Sequence, residues 1–338
     1  MMPHQGPALI WLLLGCTLLV GARDGTASGS STVPPRSVEA LTVNWNLGTK
    51  GIQYADIYAA IEKGLFKEQQ IEVALTASSN SPGTLLISGA AQISSGQPTV
   101  TYVADAQGAD LVAIYSPAST YEVWVAKPGV AGPRQLAGKT IGVFSLQDLD
   151  VVYTRQMMQQ VGLKPASYTL LATGPTNNKL AAVVAGHVDA APLYPPANFV
   201  AQQQGLVEIF NTTQLTFGQV PTFYVVRRGW AEQHKVGVIN LIRALNKAHD
   251  WLFNPANKPQ VIEILAKYTA MAPELVAKSY DLYFTKAGTI YSKNGEWDPQ
   301  VVKKTGDELV TLGLLSAPPP KYEATVAPEY REQALKGP

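Results

Sequence analysis

The chain alternates short apolar runs with stretches in which apolar residues recur at helical spacing. The runs at residues 41–45, 71–75 and 111–115 have the length and composition of buried strands. Between the first two runs, an i, i+3, i+4 spacing is kept by Tyr54, Ile57, Tyr58, Ile61 and Leu65. Strands that alternate with amphipathic helices are typical of parallel sheets covered by helices. The pattern therefore predicts an α/β protein.

The clearest pair of strand–helix units lies between residues 138 and 196. A run at 139–144 stops at a polar turn that begins with Ser145 and leads into a helical stretch. A further strand is predicted at 188–191, after a turn at Gly186. Ligands of open α/β sheets bind where the strands end, and the first backbone N–H groups of a helix have no internal partners. We therefore expect a ligand near Ser145.

Polar turns also follow predicted strands in the first part of the chain, at 78–83 and 94–98. Because parallel strands end at a common edge of their sheet, the polar and aromatic side chains of these turns should face one cleft. The predicted ligand-binding residues are Asn44, Trp45, Tyr54, Asn80, Gln97, Tyr121, Ser145, Gln147, Asp148, Tyr194 and Thr222. For each residue alone, helix capping or ordinary core packing is the alternative interpretation.

A break rich in proline and glycine at residues 128–133 interrupts the strand pattern and suggests a crossing between two lobes. The apolar run 222–226 would carry the chain back. We expect lobe I to contain residues 38–126 and 222–338 and lobe II to contain residues 127–221. The last part of the chain is predicted to be helical, with helices at 238–253, 258–268, 273–284 and 298–312.

The first residues of the chain have the pattern of an export signal. Residues 8–20 are almost entirely apolar, but this run is too short to cross a bilayer comfortably. The segment before it contains His4 and no Lys or Arg, which departs from the usual signal pattern. We interpret residues 1–37 as an export signal followed by a disordered leader rich in Gly, Ser, Thr and Pro.

Two ways of processing this segment stay open. Residues 13–16 read Leu-Leu-Gly-Cys and resemble a lipoprotein box, which would place a lipid on Cys16 and tether the protein to a membrane. The alternative is cleavage after Ala22 or Ala27, which would release a free protein. Both alternatives predict a periplasmic or other extracytoplasmic location.

Composition excludes several function classes. The net charge of +1 provides no basic surface for nucleic acid, and the single Cys excludes an internal disulfide and a Cys-based metal cluster. The four His residues do not have metal-ligand spacing, and no nucleophile elbow, phosphate-binding loop or dinucleotide fingerprint occurs. We therefore predict no catalytic residues, no metal and no cofactor, and a protein that is not an enzyme.

Five motifs carry a resemblance to a known family. Residues 136–143 read L-x-G-K-x-I-G-V, 162–165 read G-L-x-P, and 186–191 read G-x-V-D-A-A. Earlier in the chain, residues 60–66 read A-I-E-K-G-L-F, ahead of a strand that begins at 71–73, and residues 89–93 read G-A-A-Q-I. In this order and spacing the motifs resemble the substrate-binding proteins of ABC importers. The nearest group contains the nitrate, sulfonate, taurine and thiamine-pyrimidine-precursor binders.

The resemblance covers residues 41–315 and implies a fold and a function. The implied fold is the two-lobed type II periplasmic binding protein, in which each lobe is a mostly parallel sheet flanked by helices and the ligand binds between the lobes. The implied function is that of a solute receptor, acting as a monomer, that delivers a small molecule to the membrane subunits of an ABC importer. A membrane contact of its own is expected only through the lipid on Cys16.

The residues themselves bear on the choice of ligand. Asp148 and Asp150 lie at the start of the helix after Ser145, where a carboxylate would repel a sulfonate or nitrate. Aromatic residues lie near several predicted strand ends, at Trp45, Tyr54, Tyr121, Tyr194 and Phe223. Because aromatic walls with a few polar groups suit flat solutes, we favour an aromatic or heterocyclic ligand, including a pyrimidine-like one.

Two alternatives accompany this prediction. One is a receptor for a small oxyanion such as a sulfonate or nitrate. The other is an enzyme on the same fold, because some relatives of this group make the thiamine pyrimidine themselves. Those enzymes use His and Cys clusters, and this chain has no comparable cluster.

Overall fold

The computed structural model describes residues 40–78, 81–146, 148–285 and 290–337. The predicted export signal and leader, Cys16, Asn80 and Gln147 lie outside the described residues.

The strands alternate with helices along most of the described chain, as the apolar pattern predicts. They are β1 (Leu41–Asn46), β2 (Ile71–Thr76), β3 (Ile93–Gly96), β4 (Leu111–Tyr115), β5 (Val123–Ala126), β6 (Thr140–Val143), β7 (Thr169–Ala172), β8 (Ala190–Leu193), β9 (Val207–Asn211) and β10 (Phe223–Arg227). They form two five-stranded sheets, ordered β2-β1-β3-β10-β4 and β7-β6-β8-β5-β9.

The two sheets have the same arrangement. In the first, β1 pairs in parallel with β2 and β3, while β10 runs antiparallel to β3 and β4. In the second, β6 pairs in parallel with β7 and β8, while β5 runs antiparallel to β8 and β9. Each sheet is therefore mostly parallel with one reversed strand in fourth position. The predicted α/β class with two mostly parallel sheets is confirmed.

The reversed strands show where the chain changes sheet. The sequence placed residues 122–126 before the first crossing, but β5 pairs within the second sheet, so the change falls between Tyr115 and Val123. The chain returns to the first sheet between Asn211 and Phe223. The break at 128–133, which suggested the crossing, instead connects β5 and β6 of the same sheet. A strong local break therefore marks a turn here and not a change of sheet.

The two crossing segments run side by side. The N–H of Thr120 donates to the carbonyl oxygen of Val220 at 2.7 Å, and the N–H of Thr222 donates to the carbonyl oxygen of Ala118 at the same distance. Backbone pairing of this kind satisfies polar groups that would otherwise be buried without partners.

Helices cover both sheets and make up most of the last third of the described chain. They are α1 (Ala55–Glu62), α2 (Leu65–Glu68), α3 (Pro82–Ser88), α4 (Pro98–Ala106), α5 (Leu149–Gln160), α6 (Thr176–Ala185), α7 (Ala197–Gln203), α8 (Arg228–Gln233), α9 (Lys235–Phe253), α10 (Lys258–Thr269), α11 (Pro273–Tyr280), α12 (Pro299–Thr311), α13 (Tyr322–Thr325) and α14 (Glu329–Leu335). A π-helical turn, Asp281–Thr285, extends α11, so the predicted helix at 273–284 has a wider final turn.

Helix α1 illustrates how local signals set an element. Its residues Ile57 and Tyr58 are fully buried, as the apolar spacing predicts. The helix ends at Glu62, and Gly64 adopts a φ of 71°, a left-handed conformation that favours glycine. No helix of the described residues is long and apolar enough to cross a membrane.

Candidate ligand-binding site

Tyrosine side chains from distant parts of the chain meet near the crossing segments. Tyr54 precedes α1 and is buried, and burial raises the pKa of its hydroxyl to about 12, although hydrogen bonds to Gln53 and Ser95 oppose the shift. Tyr121 lies directly before β5, and its ring centroid is 6.4 Å from that of Tyr283 in an edge-on arrangement. Aromatic pairs at this distance and angle attract each other.

Tyr283 links this group to a carboxyl group. Burial raises the pKa of Tyr283, and the neighbouring Tyr121, Tyr54 and Glu122 raise it further in that order. The hydroxyl of Tyr283 has no hydrogen-bonding partner among the described residues. Tyr54, Tyr121 and Glu122 are thus close enough to act on the charge of Tyr283, and we call these four residues the tyrosine cluster.

Glu122 is the most unusual residue of this region. It is fully buried, and neither of its carboxyl oxygens has a hydrogen-bonding partner among the described residues. Its backbone is fixed, because its N–H donates to Oγ1 of Thr212 at 3.3 Å and its carbonyl oxygen accepts from the N–H of Thr212 at 3.0 Å. Burial, followed by the charge of Asp150, raises the pKa of Glu122 well above its usual value. A buried carboxyl group without partners is costly and calls for a reason.

An ion pair lies directly beside Glu122. Lys179 of α6 places Nζ 2.7 Å from Oδ2 of Asp150, and both side chains are almost completely buried. The same Asp150 oxygen accepts from the N–H of Phe144 at 2.8 Å. Burial alone would raise the pKa of Asp150, but Lys179 and these hydrogen bonds outweigh it, so the pKa lies below its usual value. Asp150 lies in the first turn of α5, as the sequence suggested, and its side chain is also the buried partner of Lys179.

Tyr194 follows β8 and borders the same charged groups. The Nζ of Lys179 lies 5.7 Å from the centre of its ring, within the range of a cation–π contact. Burial, followed by the charges of Glu122, Asp150 and Asp148, raises the pKa of Tyr194 well above its usual value. The ring of Tyr194 therefore lies against the acidic side of the site.

Asp148 caps the helix that follows Ser145. Its Oδ1 accepts from the N–H of Asp150 at 3.3 Å. Burial raises the pKa of Asp148 to about 7, and the charge of Asp150 is the second cause of this shift. Ser145 is half-buried in the same turn, and its carbonyl oxygen accepts from the N–H of Asp148. The turn after β6 thus lies beside the charged groups.

Several of the predicted ligand-binding residues share this region. Tyr54 and Tyr121 belong to the tyrosine cluster, while Asp148 and Tyr194 border the ion pair. Thr222 is buried in the second crossing segment, and its described bond is the backbone one to Ala118. Gln97 is half-buried at the start of α4.

Two of the predicted ligand-binding residues, Trp45 and Asn44, make contacts within the first sheet. The ring of Trp45 is fully buried, 4.6 Å from Tyr224, and its Nε1 donates to Oγ of Ser95. Asn44, the preceding residue, is exposed, and its N–H donates to Oε1 of Gln92. Neighbouring strand residues point to opposite faces, so one side chain enters the core while the other meets solvent. Phe223, another aromatic residue at a predicted strand end, is also fully buried.

Three residues of the region escaped the sequence analysis: Glu122, Lys179 and Tyr283. Glu122 carries a usable signal, because an acidic residue directly beside a fully apolar strand often has a special environment. Lys179 lies among ordinary helix-forming residues and gives no local signal. Tyr283 reaches the cluster from α11's extension, which is far away in sequence.

A cavity of about 870 Å³ lies beside the two crossing segments, whose residues Ser119, Gln219 and Pro221 contribute to its lining. Its lining includes His249, Phe253, Phe284, Tyr291 and Trp297. None of the predicted ligand-binding residues lines this cavity. Among the described residues, no group of three or more His, Cys, Asp or Glu side chains could hold a metal ion.

Comparison with known proteins identifies relatives of the chain. The family model described as NMT1/THI5 like matches residues 52–258. No curated protein matches the chain at a significant level.

Several solved structures share the fold at low sequence identity. The ligand-binding component of an ABC-type import system from Staphylococcus aureus, with zinc bound, has a TM-score of 0.73 at 13% identity, and the match covers 88% of this chain and 99% of that one. The alkanesulfonate-binding protein SsuA from Xanthomonas axonopodis pv. citri, bound to MOPS, has a TM-score of 0.69 at 19% identity over 86% and 99% of the two chains. The periplasmic nitrate-binding protein NrtA from Synechocystis PCC 6803 has a TM-score of 0.72 at 13% identity over 88% and 89%. The predicted periplasmic binding protein fold is confirmed.

Proposed function

Because the chain belongs to the NMT1/THI5-like family, we propose that it is an extracytoplasmic solute receptor that delivers a small organic molecule to an ABC importer. The two sheets would form two lobes that close on the solute. The crossing segments between Tyr115 and Val123 and between Asn211 and Phe223 would act as the hinge. Such closure follows when the ligand binds the closed form better than the open one. Export of the protein and its action as a monomer belong to the same proposal.

The observation that carries the choice of ligand is the buried carboxyl group of Glu122. Neither oxygen accepts a hydrogen bond from a described residue, Lys179 lies 3.9 Å from one of them, and the charge of Glu122 acts on Tyr153, Tyr194 and Tyr283. A carboxyl group at this position offers hydrogen bonds to the nitrogen atoms of a heterocycle, while aromatic rings offer faces for a flat ring to contact. These features favour an aromatic or heterocyclic solute, with a pyrimidine-like ring as the leading candidate.

The charges near Glu122 argue against a small oxyanion. Asp150 and Asp148 contribute further carboxyl groups, and Lys179 already pairs with Asp150. A sulfonate or nitrate at this position would find no free cation, because Lys179 is held by Asp150, and would lie near the Asp148 and Asp150 carboxyl groups. The acidic surroundings therefore argue against an anion-binding site at this position.

A thermal-shift screen tests the ligand class. Pyrimidines, aromatic carboxylates, alkanesulfonates and nitrate are added separately, because a ligand that binds only the folded state raises the melting temperature. We expect stabilisation by heterocycles and its loss in Glu122→Ala. Stabilisation by sulfonate or nitrate alone, unchanged in Glu122→Ala, would contradict the proposed ligand class and site.

Two further measurements test the receptor role. Small-angle X-ray scattering should show a smaller radius of gyration when the stabilising heterocycle is added, because the lobes close. The heterocycle should be recovered chemically unchanged after incubation; its conversion would favour the enzyme alternative.

Intact-mass measurement of the exported protein distinguishes a lipid on Cys16 from cleavage after Ala22 or Ala27.

A further inference from the structure

Two acidic side chains and one basic side chain lie together inside the protein. Lys179 is 2.7 Å from Asp150 and 3.9 Å from Glu122, measured from Nζ to the nearest carboxyl oxygens, and all three side chains are at most 2% exposed. If every group were ionised, the set would carry one uncompensated negative charge. An unpaired charge inside a protein is strongly unfavourable, because nothing replaces the hydration that it loses.

The hydrogen bonds show which carboxyl group takes the proton. Asp150 accepts from Lys179 and from the N–H of Phe144. Neither oxygen of Glu122 accepts a hydrogen bond from a described residue, and the ammonium group is farther from it. The ionised form is therefore stabilised at Asp150 and not at Glu122. A protonated Glu122 can also donate its O–H to Asp150, an interaction that lowers the pKa of Asp150 and raises that of Glu122.

The other groups that face Glu122 act in the same direction. Asp148 and Tyr153 of the α5 region, Tyr194 after β8 and Tyr283 all have raised pKa values, first because of burial. Each is therefore neutral or adds negative charge when it ionises. Lys179 favours the ionised form of Glu122, and it is the one described residue with a resolved effect in that direction. Lys179 is already paired with Asp150.

We propose that Asp150 and Lys179 keep Glu122 protonated, so that the site selects an uncharged solute carrying a hydrogen-bond acceptor and donor side by side. When a solute binds, the O–H of Glu122 would turn from Asp150 to the solute's acceptor, and its carbonyl oxygen would accept from the solute's N–H. An oxyanion lacks the donor, and an organic cation lacks the acceptor. Asp150 and Lys179 are positioning residues here, because they act through Glu122. The inference rests on the proposed function, which places the solute at Glu122.

Infrared difference spectroscopy tests the protonation directly and without a ligand. The spectrum of the wild-type protein minus that of Glu122→Gln should contain the C=O stretching band of a protonated carboxyl group at neutral pH. The band should vanish in Asp150→Asn, because Lys179 then loses its nearer partner and pairs with an ionised Glu122. A carboxylate band in the wild-type protein at neutral pH would overturn the inference.

Binding experiments test the selectivity with three probes of different charge: uncharged 2-aminopyrimidine, the benzamidinium cation and the methanesulfonate anion. We expect calorimetry to detect the tightest binding for 2-aminopyrimidine. Glu122→Gln should keep its affinity within a few-fold, about the size of a neutral hydrogen-bond substitution, because an amide also offers one donor beside one acceptor. Asp150→Asn should weaken binding about tenfold or more, because the O–H donor is lost.

The pH profile has a defined sign. As pH rises, Glu122 loses its proton, so affinity for 2-aminopyrimidine should fall in the wild-type protein and stay level in Glu122→Gln. Tighter binding of benzamidinium or methanesulfonate would overturn the selectivity. The two proposals also fail differently. If the spectrum shows a carboxylate but 2-aminopyrimidine binding still depends on Glu122, only the protonation is refuted. If the spectrum shows a protonated carboxyl group but binding is unchanged in Glu122→Ala, the site assigned under the proposed function is refuted.

Discussion

Two buried acidic residues, Asp56 and Glu122, have opposite surroundings. Oδ1 of Asp56 accepts hydrogen bonds from the hydroxyl groups of Tyr224 at 2.6 Å and Tyr291 at 3.2 Å. Its second oxygen lies 3.5 Å from Nε2 of His249. Glu122 has tyrosine neighbours as well, but no described residue donates a hydrogen bond to its carboxyl group.

The difference separates a structural role from a binding role. The Asp56 carboxyl group joins α1 to β10 and to the segment at Tyr291, so its hydrogen bonds hold the first sheet and its helices together. The Glu122 carboxyl group accepts no hydrogen bond from a described residue, so its acceptor capacity is left for a solute. Burial and acidity are common to both. Oδ1 of Asp56 accepts hydrogen bonds from two tyrosines although its Oδ2 accepts none, whereas neither oxygen of Glu122 accepts one from a described residue.

The largest expected effect comes from breaking the ion pair beside Glu122. Lys179→Met should lower the free energy of unfolding by about 3–5 kcal/mol, because it leaves Asp150 buried without its cation. Urea denaturation at neutral pH measures this change. Lys139→Met is the matched control, since Lys139 and Asp189 are 3.6 Å apart but about one-third exposed. The control should lose about 1 kcal/mol or less, and equal losses in the two variants would contradict a special role for burial.

Removing the hydrogen-bonded carboxyl group of Asp56 tests the structural side of the comparison. Asp56→Ala should lower the free energy of unfolding by about 2–3 kcal/mol, because the hydroxyl groups of Tyr224 and Tyr291 lose their acceptor. Tyr291→Phe, which removes one donor and keeps the ring, should cost about 1 kcal/mol. Ligand affinity of the folded variants should equal that of the wild-type protein in calorimetric titration. A selective loss of affinity at unchanged stability would assign Asp56 to the ligand site instead.

Tyr194 tests the binding side. Tyr194→Ala should weaken the binding of a stabilising heterocycle by about 1–3 kcal/mol, a tenfold to hundredfold loss of affinity, because a ring contact and a hydroxyl group disappear. Calorimetric titration measures the affinity, and a melting curve follows stability. Tyr194→Phe keeps the ring and should retain most of the affinity. Unchanged affinity in Tyr194→Ala would remove the residue from the site, and a large fall in melting temperature would make it a core residue.

The last prediction concerns the slope of stability against pH, not the stability at one pH. The carboxyl group of Asp148 has a folded-state pKa of about 7, above its usual value. The folded state therefore holds a proton that the unfolded chain releases at lower pH, so this contribution to stability is lost as pH rises from about 4 toward 7. Asp148→Asn should flatten that slope in denaturation curves, and the amide can still cap α5. An unchanged slope would show that Asp148 ionises normally.

Local patterns in the sequence predicted the elements well. The strand expected at 111–115 is Leu111–Tyr115, and the helix expected at 258–268 is Lys258–Thr269. Apolar spacing, glycine stops and capping residues act over a few neighbouring positions, so they can be read without knowing what the element packs against. The motifs at 136–143 and 186–191 likewise indicated the family from short stretches of chain.

The tertiary structure decided the assignment of each strand and the environment of each charge. Residues 122–126 read as an apolar strand in either sheet, and only pairing with β8 and β9 places β5 in the second. Asp150 and Lys179 are 29 positions apart, and Glu122 precedes Asp150 by 28 (150 minus 122). Whether a carboxyl group is solvated, paired or left without partners depends on distances of a few ångströms between such distant residues. Sequence spacing does not fix those distances, because the fold brings the residues together only after the strands have paired.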